Sequence, residues 1–436
     1  MLQGPVGPFF NNFKIALKEA GFNPIKINFN GGDWLFAHGE NVINFRGTAA
    51  EWGEWFADFL KIDQPEFIIL MGDERPLHAT AIRIAGAEGI PVWVLEEGYI
   101  RPDYITCELN GVNANSPIAL GAGALSSAED SPAPSSEFRA FKKNAFVSMA
   151  VYATFYYYGL AFGKLFFPRY VHYRNRSLIS EFFLWTRNSY RKLRNLRANN
   201  KSLLELLEHH DKSYFLVALQ VSDDMQLVAH GRGWTVDRLI TSAIRSFSLY
   251  AGPDDLLVFK GHPLDRGHFP HGDLIREIAK LADCEDRVRF LDDGSIGLLI
   301  RHAKGVVAVN STSGLSALHH GTPLLCLGEA LYKQPGLVTF CNNDSDMDAF
   351  WCNPTGPDIA VARQFLDMIR RKCLINGTFY NKASFPRTFR NLLKKLEQEN
   401  GPALKELARA TIDRDVHKDG NRGVLIDKSS ARKRLQ

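Results

Sequence analysis

Two adjacent glutamates, Glu96 and Glu97, end an apolar run in the stretch VLEEGYIRPDYIT, where Gly98 and Arg101 follow them. Two adjacent carboxyl groups repel each other when both are ionised, so the pKa of one of them rises unless a nearby cation compensates. Arg101 is the candidate cation. A carboxylate at the carboxyl end of a strand can act as a general base or as a nucleophile. The alternative interpretation is a charged turn at a domain edge.

Two later stretches suit an anionic group. In FKGHPLD an apolar run delivers Lys260, His262 and Pro263 to its end, and an imidazole there can donate to a phosphate or protonate a leaving group. In VNSTSGLSALHHGTP an apolar run leads into a helix whose N-terminal N–H groups and dipole favour an anion. The residues at that junction are Asn310, Ser311, Thr312, Ser313 and Gly314. The alternatives are a structural turn and ordinary helix capping.

Further polar or glycine residues stand where other apolar runs end. The glycines of GPVGPFF allow a tight turn or a close approach to a ligand, although the stretch lacks the Lys-Ser/Thr of a phosphate-binding P-loop. The acidic pair in LDDG is interpreted differently, with Asp292 as a turn residue or a helix N-cap. The candidates for substrate contacts are Gly4, Gly7, Asp33, Asp73, Arg75, His78 and Gln220.

Alternating strand-like and helix-like segments must position these residues. Runs such as EFIILMGD and YFLVALQ are typical of buried parallel strands, and amphipathic helices separate them. This pattern predicts an α/β protein with two Rossmann-type, doubly wound lobes, whose ligands bind beyond the carboxyl ends of the strands in an interlobe cleft. The predicted segments are an N-terminal lobe over 1–120, a linker with an aromatic and basic helical region over 121–205, a C-terminal lobe over 206–345, helices over 346–412 and a basic tail over 413–436.

Composition excludes several classes of protein. The chain has 436 residues, of which 45% are hydrophobic and 23% charged, as expected for a globular protein. A net charge of +4 argues against electrostatic binding of nucleic acid. The six cysteines form no C-x-x-C pair, so we expect reduced thiols in the cytoplasm and no metal site. The start carries no secretory signal pattern, which indicates a protein that stays in the cytoplasm. The apolar stretch 145–167 is interrupted by Gly159, Gly163 and Lys164, which is not typical of a transmembrane helix.

Six motifs occur in one order along the chain: LQGPVGPFF, NFNGGD, GDERPLH, EEGYIRPDYIT, FKGHP and NSTSGLSALHHGTP. Together they resemble the capsular polysaccharide biosynthesis and export family, most closely its single-module β-Kdo transferases, from residue 2 to about residue 389. The resemblance implies a GT-B-like fold without cofactor or metal. It also implies transfer of Kdo from CMP-β-Kdo to phosphatidylglycerol or lysophosphatidylglycerol, which initiates the poly-Kdo linker of Gram-negative capsules.

The resemblance also implies roles for individual residues. His262 and Pro263 match the motif that holds the CMP phosphate, and Ser311, Thr312 and Ser313 match the serine motif on the same nucleotide. The glutamate pair matches an acidic-acidic-glycine motif of retaining enzymes, in which relatives often carry aspartate. We favour Glu97 as the nucleophile with Glu96 as its partner. Arg75 and Arg101 are the candidates for binding the Kdo carboxylate.

The implied partners are the inner-membrane surface, a larger two-module Kdo transferase and the capsule ABC exporter, with no nucleic acid. The implied location is cytoplasmic, at the inner face of the inner membrane. Residues 141–176 combine aromatic with basic side chains, which suits either a bilayer surface or a buried helix pair. Two other functions stay open: a non-enzymatic component that binds glycolipid for export, and a CMP-sialic acid transferase. The intact His-Pro and serine motifs oppose the first, and GPVGPFF with EEGYIRPDY opposes the second.

Overall fold

The computed structural model describes residues 1–120, 145–172, 178–263, 265 and 268–399. Its strands are β1 (Lys26–Asn28), β2 (Val42–Asn44), β3 (Ile68–Met71), β4 (Val92–Glu97), β5 (Tyr104–Leu109), β6 (Tyr214–Ala218), β7 (Leu256–Lys260), β8 (Val288–Leu291), β9 (Gly305–Ala308), β10 (Leu324–Cys326), β11 (Thr339–Phe340) and β12 (Leu374–Asn376). Its helices are α1 (Phe9–Glu19), α2 (Gly31–Phe36), α3 (Ala49–Asp63), α4 (Pro76–Ala87), α5 (Pro117–Leu120), α6 (Ala145–Phe162), α7 (Leu178–His209), α8 (Met225–His230), α9 (Val236–Tyr250), α10 (His271–Leu281), α11 (Ile296–His302), α12 (Ser313–His320), α13 (Asp344–Cys352), α14 (Ile359–Lys372) and α15 (385–399).

The chain divides into two compact units. Of the described residues, unit 1 contains 1–112, 145–172 and 373–399, and unit 2 contains 113–120 and 178–372. This grouping differs from the boundaries that we predicted, because α6 and α7 go to different units and the chain returns to unit 1 after α14. Residues 121–144 of the linker and helical region predicted over 121–205 lie outside the described residues, as does the predicted tail over 413–436.

Unit 2 is built on a six-stranded sheet in which every neighbouring pair is parallel. The strand order is β11-β10-β9-β6-β7-β8, the doubly wound arrangement in which the chain reverses its direction of travel between β6 and β9. Strands β6, β7, β9 and β10 are buried at every position, because helices cover both faces. The predicted α/β class with Rossmann-type parallel sheets is confirmed.

Unit 1 has a mixed sheet. Its order is β12-β5-β4-β3, with β3 parallel to β4 and with β5 antiparallel to both of its neighbours. Residues 1–3 extend the sheet beyond β3, since Leu2 N donates to Ile69 O at 2.8 Å and Ile27 N donates to Met1 O at 2.9 Å. This segment thereby joins the parallel pair β1-β2 to the rest. The reversed strand β5 was not predicted from the sequence.

The core of unit 1 joins the two ends of the described chain. Phe9 on α1 lies 4.9 Å from Phe379 and 5.2 Å from both Phe385 and Phe389, measured between ring centroids. All four rings are buried. Edge-on aromatic pairs of this kind add to the hydrophobic stabilisation of the buried area. Helix α15 and strand β12 are therefore structural parts of the N-terminal unit.

Helix α6 packs on α2 through glycines. A Cβ atom on Gly31 would lie 2.2 Å from the carbonyl oxygen of Gly159, and a Cβ on Gly163 would lie 2.4 Å from the Cα of Gly31. Only glycine permits the two backbones to come this close. The NGGD motif thus opens α2 and forms the contact surface for α6. Among the described residues, no helix has both the length and the hydropathy needed to cross a membrane.

Candidate functional site

The point where the sheet of unit 2 reverses direction carries a pair of buried amides. Gln220 follows β6 and Asn310 follows the adjacent β9. Gln220 Nε2 donates to Asn310 Oδ1 at 2.8 Å, and Asn310 N donates back to Gln220 Oε1 at 3.2 Å. Ligands of open α/β sheets bind at such a switch point, beyond the carboxyl ends of the strands. The structure therefore brings together two residues that we selected separately from the sequence.

The serine loop begins one residue after this amide pair. Ser313 Oγ donates to Ser311 Oγ at 2.7 Å, and Tyr332 Oη donates to the carbonyl oxygen of Ser311 at 2.7 Å. A Cβ on Gly314 would lie 2.4 Å from the Tyr332 ring, so the glycine is required for that ring to fit. Thr312 makes no capping hydrogen bond through its side chain.

The backbone N–H groups of this loop differ from our expectation of a free helix N-terminus. Those of residues 313–315 donate to Ser311 Oγ and to the carbonyl oxygens of Ser311 and Thr312. A ligand at this loop would therefore meet mainly the half-buried hydroxyls, and the helix dipole would add to their effect.

The His-Pro turn follows β7, on the other side of β6. Lys260 is buried and its Nζ donates to Gly261 O at 2.7 Å, while His262 is half-buried and Pro263 is exposed. Asn188 of α7 donates to the carbonyl oxygen of Pro263 at 3.0 Å. Strands β7 and β9 flank β6, and neighbouring strands lie about 4.8 Å apart, so the turn and the serine loop start about 10 Å apart. That span suits a nucleoside monophosphate.

A buried group that the sequence analysis missed holds this turn. Asp265 Oδ2 accepts hydrogen bonds from Ser222 N at 2.8 Å and Ser222 Oγ at 2.9 Å, and lies 3.5 Å from His271 Nε2. Burial alone would raise the pKa of Asp265, but the hydrogen bonds from His271 and Ser222 outweigh burial and lower it. The backbone N–H of Asp265 donates to His262 O at 3.0 Å. Asp265 therefore ties the His-Pro turn to the end of β6.

Two other acidic residues of unit 2 have structural roles. Asp292 accepts hydrogen bonds from Asn195 at 2.7 Å and Asn199 at 2.6 Å, which attaches α7 to the end of β8. The N-cap of the following helix is Ser295, so of the two predicted roles of Asp292 the helix cap is wrong, and Asp292 lies in the turn after β8. Asp224 caps α8 by accepting from Gln226 N.

In unit 1, the two glutamates are the last residues of β4 and face opposite sides of the sheet. Glu96 pairs with Thr106 and Glu97 with Ile105 on β5, and consecutive residues of a strand point to opposite faces. The motif continues into a hairpin, in which a Cβ on Gly98 would lie 2.4 Å from the Tyr104 carbonyl oxygen. The two carboxylates therefore have different surroundings, although they adjoin in sequence.

Glu96 lies on the side of Asp73 and Arg75. A Cβ on Gly72, the residue after β3, would be 3.3 Å from Glu96 Oε2 and 3.5 Å from Arg75 Nε. Burial raises the pKa of Glu96 to about 7, Arg75 opposes this shift, and the charges of Asp73 and Glu97 add to it. The compensating cation for Glu96 is therefore Arg75. A carboxyl with a pKa near 7 suits proton transfer at neutral pH.

Glu97 lies on the side of Arg101 and Tyr380. Burial raises its pKa, and both the charge of Arg101 and a hydrogen bond with Tyr380 lower it. Arg101 is exposed and its Nε donates to Gly98 O at 3.4 Å. Tyr380 follows β12 and was not selected from the sequence. The interpretation of Arg101 as a compensating cation thus applies to Glu97.

A hydrogen-bond chain connects Arg75 with the glycine loops. Arg75 Nη1 donates to Gln3 Oε1 at 2.9 Å and to Gly4 O at 3.4 Å. Gln3 Nε2 donates to Asp33 Oδ1 at 3.1 Å and to Tyr156 Oη at 2.7 Å, and Tyr156 Oη lies 3.2 Å from the same Asp33 oxygen. The structure thus brings together Gly4, Asp33 and Arg75, three of the candidates for substrate contacts, at one rim of unit 1, and adds Gln3 and Tyr156.

A small cavity lies on this rim. Its lining includes Gly4, Gly7 and Asp33 from the predicted set, together with Tyr156 and Lys26. Lys26 is buried, its Nζ donates to Asn28 Oδ1 at 3.1 Å, and burial lowers its pKa to about 8. Nothing in the motif pattern selected Lys26, since it lies within the short strand β1.

Three predicted residues of unit 1 are fixed in the fold. His78 is buried, its Nδ1 lies 2.8 Å from Gly72 O, and burial together with Arg75 lowers its pKa to about 3. Asp73 is buried and accepts from Val112 N at 3.0 Å. Gly7 has a φ of +104°, and a Cβ there would lie 2.7 Å from the Tyr152 ring. Within the described ranges, no three His, Cys, Asp or Glu side chains cluster as metal ligands.

Comparison with known proteins agrees with the motif pattern. The family model described as capsule polysaccharide biosynthesis protein matches residues 66–380. The capsule polysaccharide export protein KpsS of Escherichia coli is 34% identical over 380 residues, 87% of this chain and 96% of that protein. The capsule polysaccharide modification protein LipB of Neisseria meningitidis serogroup B is 32% identical over 396 residues, 88% and 92% of the two chains.

Among solved structures, the β-Kdo 2,7 transferase KpsC of Thermosulfurimonas dismutans aligns over 84% of this chain and 89% of that chain. Its sequence identity is 13% and its TM-score is 0.38, too low to carry an argument. The family assignment rests on sequence alone, and it confirms the family predicted from the six motifs. The chain belongs to the capsule polysaccharide biosynthesis protein family.

Proposed function

We propose that this protein is a retaining glycosyltransferase that moves Kdo from CMP-β-Kdo to a phosphatidylglycerol or lysophosphatidylglycerol acceptor. The product would initiate the poly-Kdo linker of a Gram-negative capsule. One observation carries the proposal: the amide pair, the serine loop and the His-Pro turn all stand at the carboxyl ends of β6, β7 and β9, around the switch point of unit 2. Membership of a capsule biosynthesis family supports the same conclusion.

The donor site of the proposal lies on unit 2. The hydroxyls of Ser311 and Ser313 and the imidazole of His262 would bind the phosphate of CMP, and Lys260 would add positive charge. Such preorganised donors stabilise charge that develops on a leaving group. Gln220 fixes the loop ends because its side-chain amide donates to Asn310 Oδ1 and accepts from the backbone N–H of Asn310. No metal or cofactor takes part in the proposed reaction.

The proposed reaction has two displacements. Glu97 attacks the anomeric carbon, and the bond to the CMP phosphate breaks with its electron pair leaving on the phosphate oxygen. The acceptor hydroxyl oxygen then attacks the same carbon and frees the Glu97 carboxylate. The acceptor proton passes to Glu96, whose pKa of about 7 suits a base. Two inversions at one carbon retain the configuration.

Ionisation decides which glutamate takes which role. A nucleophile must be charged, and Glu97 has both a hydrogen bond with Tyr380 and the charge of Arg101 to favour its carboxylate form. Glu96 becomes ionised near neutral pH, where it can accept the proton of the acceptor and release it again. The Kdo carboxylate needs a cation of its own, for which Arg101 and Arg75 are the candidates. The two glutamates are the last two residues of β4. Although their side chains face opposite sides of the sheet, each could therefore reach a sugar that is bound beyond the end of the strand.

The test is direct. Full-length protein is incubated with CMP-Kdo made in situ and a fluorescent phosphatidylglycerol analogue, and the product is analysed by mass spectrometry. We expect a mass gain of one Kdo unit, and its absence would refute the proposed activity. Binding of the lipid without binding of CMP and without any transfer would favour the non-enzymatic glycolipid-binding function.

Variants assign the roles. We expect Glu97→Gln and His262→Ala to lower transfer at least a hundredfold in a folded protein, whereas Glu54→Gln, on the exposed face of α3, retains it. Glu96→Gln should abolish the pH dependence near 7 along with most activity. A fully active Glu97→Gln variant would move the nucleophile to Glu96.

The proposal places the protein at the cytoplasmic face of the inner membrane, where its lipid acceptor resides. The larger two-module Kdo transferase would extend the linker, and the capsule ABC exporter would receive the finished glycolipid. Co-purification from a membrane fraction of a capsulated strain, with and without each partner, would test this placement. A protein recovered wholly apart from membranes and both partners would contradict it.

A further inference from the structure

The exposed face of α6 is apolar. Val147, Val151, Phe155, Tyr158 and Phe162 are all exposed, at spacings of four, four, three and four residues, so they form one stripe along the helix. Phe155 is 54% exposed and Phe162 is 74% exposed. Residues 145–162 include no charged side chain. A helix in contact with water normally places charged or polar residues on its outer face.

The opposite face of α6 is fixed in unit 1. Gly159 and Gly163 allow the backbone contact with Gly31 described above. The Tyr156 side chain is buried, and its hydroxyl forms hydrogen bonds with Asn30 and Gln3. These contacts determine which side of the helix points outward. The apolar stripe is therefore a fixed feature of the surface of unit 1.

The stripe continues beyond the helix. Leu165 and Phe166 follow α6 and are exposed, and Trp34 of α2 packs on Phe166 with 5.5 Å between ring centroids while remaining 42% exposed. Contiguous exposed apolar surface of this kind marks a contact with another molecule. Tryptophan, tyrosine and phenylalanine in such a patch are typical of side chains that enter the headgroup region of a bilayer.

The charge around the stripe indicates an anionic partner. In sequence, residues 141–176 include six Lys or Arg and no Asp or Glu; of these, Lys164 and Arg169 belong to the described residues, and Arg169 lies 3.4 Å from Glu51. Lys164 is exposed next to the stripe, and the exposed Lys382 lies 5.9 Å from the centre of the Tyr152 ring on α6. Lysines near a membrane surface are attracted to anionic headgroups.

We infer that the stripe of α6, with Leu165, Phe166 and Trp34, docks into the headgroup region of an anionic lipid bilayer. One face of this 18-residue helix is packed on α2, so the helix lies along the membrane surface over about 27 Å, with the exposed aromatic side chains inserted. The inference rests on the proposed function in one respect: a transferase that acts on a lipid acceptor must reach the membrane that contains this lipid. The same helix carries Tyr156, which is linked through Gln3 to Arg75 by hydrogen bonds, and Arg75 lies beside Glu96. Docking of α6 would therefore hold the Glu96 side of unit 1 close to the membrane.

The first experiment measures vesicle binding of the full-length protein by flotation, with phosphatidylglycerol-containing and pure phosphatidylcholine vesicles. We expect tighter binding to the anionic vesicles. Phe155→Glu combined with Phe162→Glu should weaken binding at least tenfold, equivalent to about 1.4 kcal/mol. Both positions are exposed, so the thermal unfolding curve should not change. Leu281→Glu, at a 78% exposed position on α10, is the matched control and should bind as the wild type does.

The second experiment reports where the stripe goes. Cys352 is the exposed cysteine among six, so Cys352→Ser with Phe162→Cys provides one accessible thiol for an environment-sensitive NBD label. We expect a blue shift and higher intensity on addition of anionic vesicles. A label that stays in water while the protein is bound would overturn the inference.

The remaining outcomes are also decisive. A wild-type protein that does not bind vesicles, or a double variant that binds normally, would overturn the inference. A wild-type dimer that the double variant converts to a monomer, with vesicle binding unchanged, would identify a second copy as the occupant. Transfer of Kdo to a short-chain, water-soluble phosphatidylglycerol separates this inference from the proposed function. The double variant should retain that transfer, whereas an inactive wild type would refute the proposed function and leave the vesicle results standing.

Discussion

Glu96→Gln should make the protein more stable, by an amount that grows as the pH rises from about 4.5 to 7. The pKa of Glu96 rises from an ordinary 4.5 to about 7, chiefly through burial. The folded state therefore holds this proton more tightly than the unfolded chain does. The stabilisation from the bound proton is complete below pH 4.5 and is lost as the pH rises to 7.

The magnitude follows from the size of that shift. Each pKa unit corresponds to about 1.4 kcal/mol, so an ionised Glu96 costs the folded protein about 3 kcal/mol at pH 8. At pH 5 the carboxyl is mostly protonated in the folded state and the cost is below about 1 kcal/mol. Glutamine mimics the protonated form. Arg75 keeps its bond to Gln3 in the variant, so removing the carboxylate leaves no isolated cation.

The assay is urea unfolding at pH 5 and pH 8, followed by tryptophan fluorescence. We expect Glu96→Gln to raise the free energy of unfolding by about 3 kcal/mol at pH 8 and by less than about 1 kcal/mol at pH 5. Glu54→Gln, on the exposed face of α3, controls for the exchange itself. An equal effect at both pH values, or a less stable variant at pH 8, would refute the reasoning.

Three further predictions concern unit 2. Gly314→Ala should lower the free energy of unfolding by about 2 kcal/mol, because the added methyl group would overlap the Tyr332 ring. An unchanged midpoint of urea denaturation would contradict this prediction. Asp292→Ala should lower the free energy of unfolding by about 3 kcal/mol and speed hydrogen exchange in α7, because the buried Asn199 and the half-buried Asn195 lose their acceptor. Equal exchange rates would show that α7 is held elsewhere. Gln220→Ala should weaken CMP binding about tenfold by calorimetry, and adding Asn310→Ala should lower the affinity for CMP only slightly further. Independent, additive losses of affinity would show that the two residues do not act as a pair.

The strands of unit 2 could be predicted because each is a continuous apolar run that the sheet buries on both faces. YFLVALQ, DLLVFKGHP and GVVAVNST became β6, β7 and β9 with their polar residues at the carboxyl ends. Strand β5 was missed because it follows the EEG motif as a hairpin, where we expected only a loop. Strand β12 has three residues, too few to show a pattern, and its partner lies more than 260 residues earlier in the chain.

The candidate site was predicted by residue type and only partly by arrangement. Polar residues at strand ends were identifiable, whereas the pairing of Gln220 with Asn310 depends on the strand order. The period of two along a strand already indicates that Glu96 and Glu97 face different sides. Their partners Arg75 and Tyr380 could not be assigned, because contacts between distant segments leave no local signal.

The return of the chain to unit 1 has a consequence for biosynthesis. The N-terminal sheet takes β12 as its edge strand, and the buried rings of α1 are covered by Phe379, Phe385 and Phe389. A ribosome must therefore make all of unit 2 before the first unit can close. Both segments of unit 2, residues 113–120 and 178–372, precede β12, so unit 2 can fold first, opposite to the usual order for domains that emerge from the N-terminus. Until then Phe9 and Phe13 stay uncovered on the nascent chain, and a stop codon before β12 would leave them so.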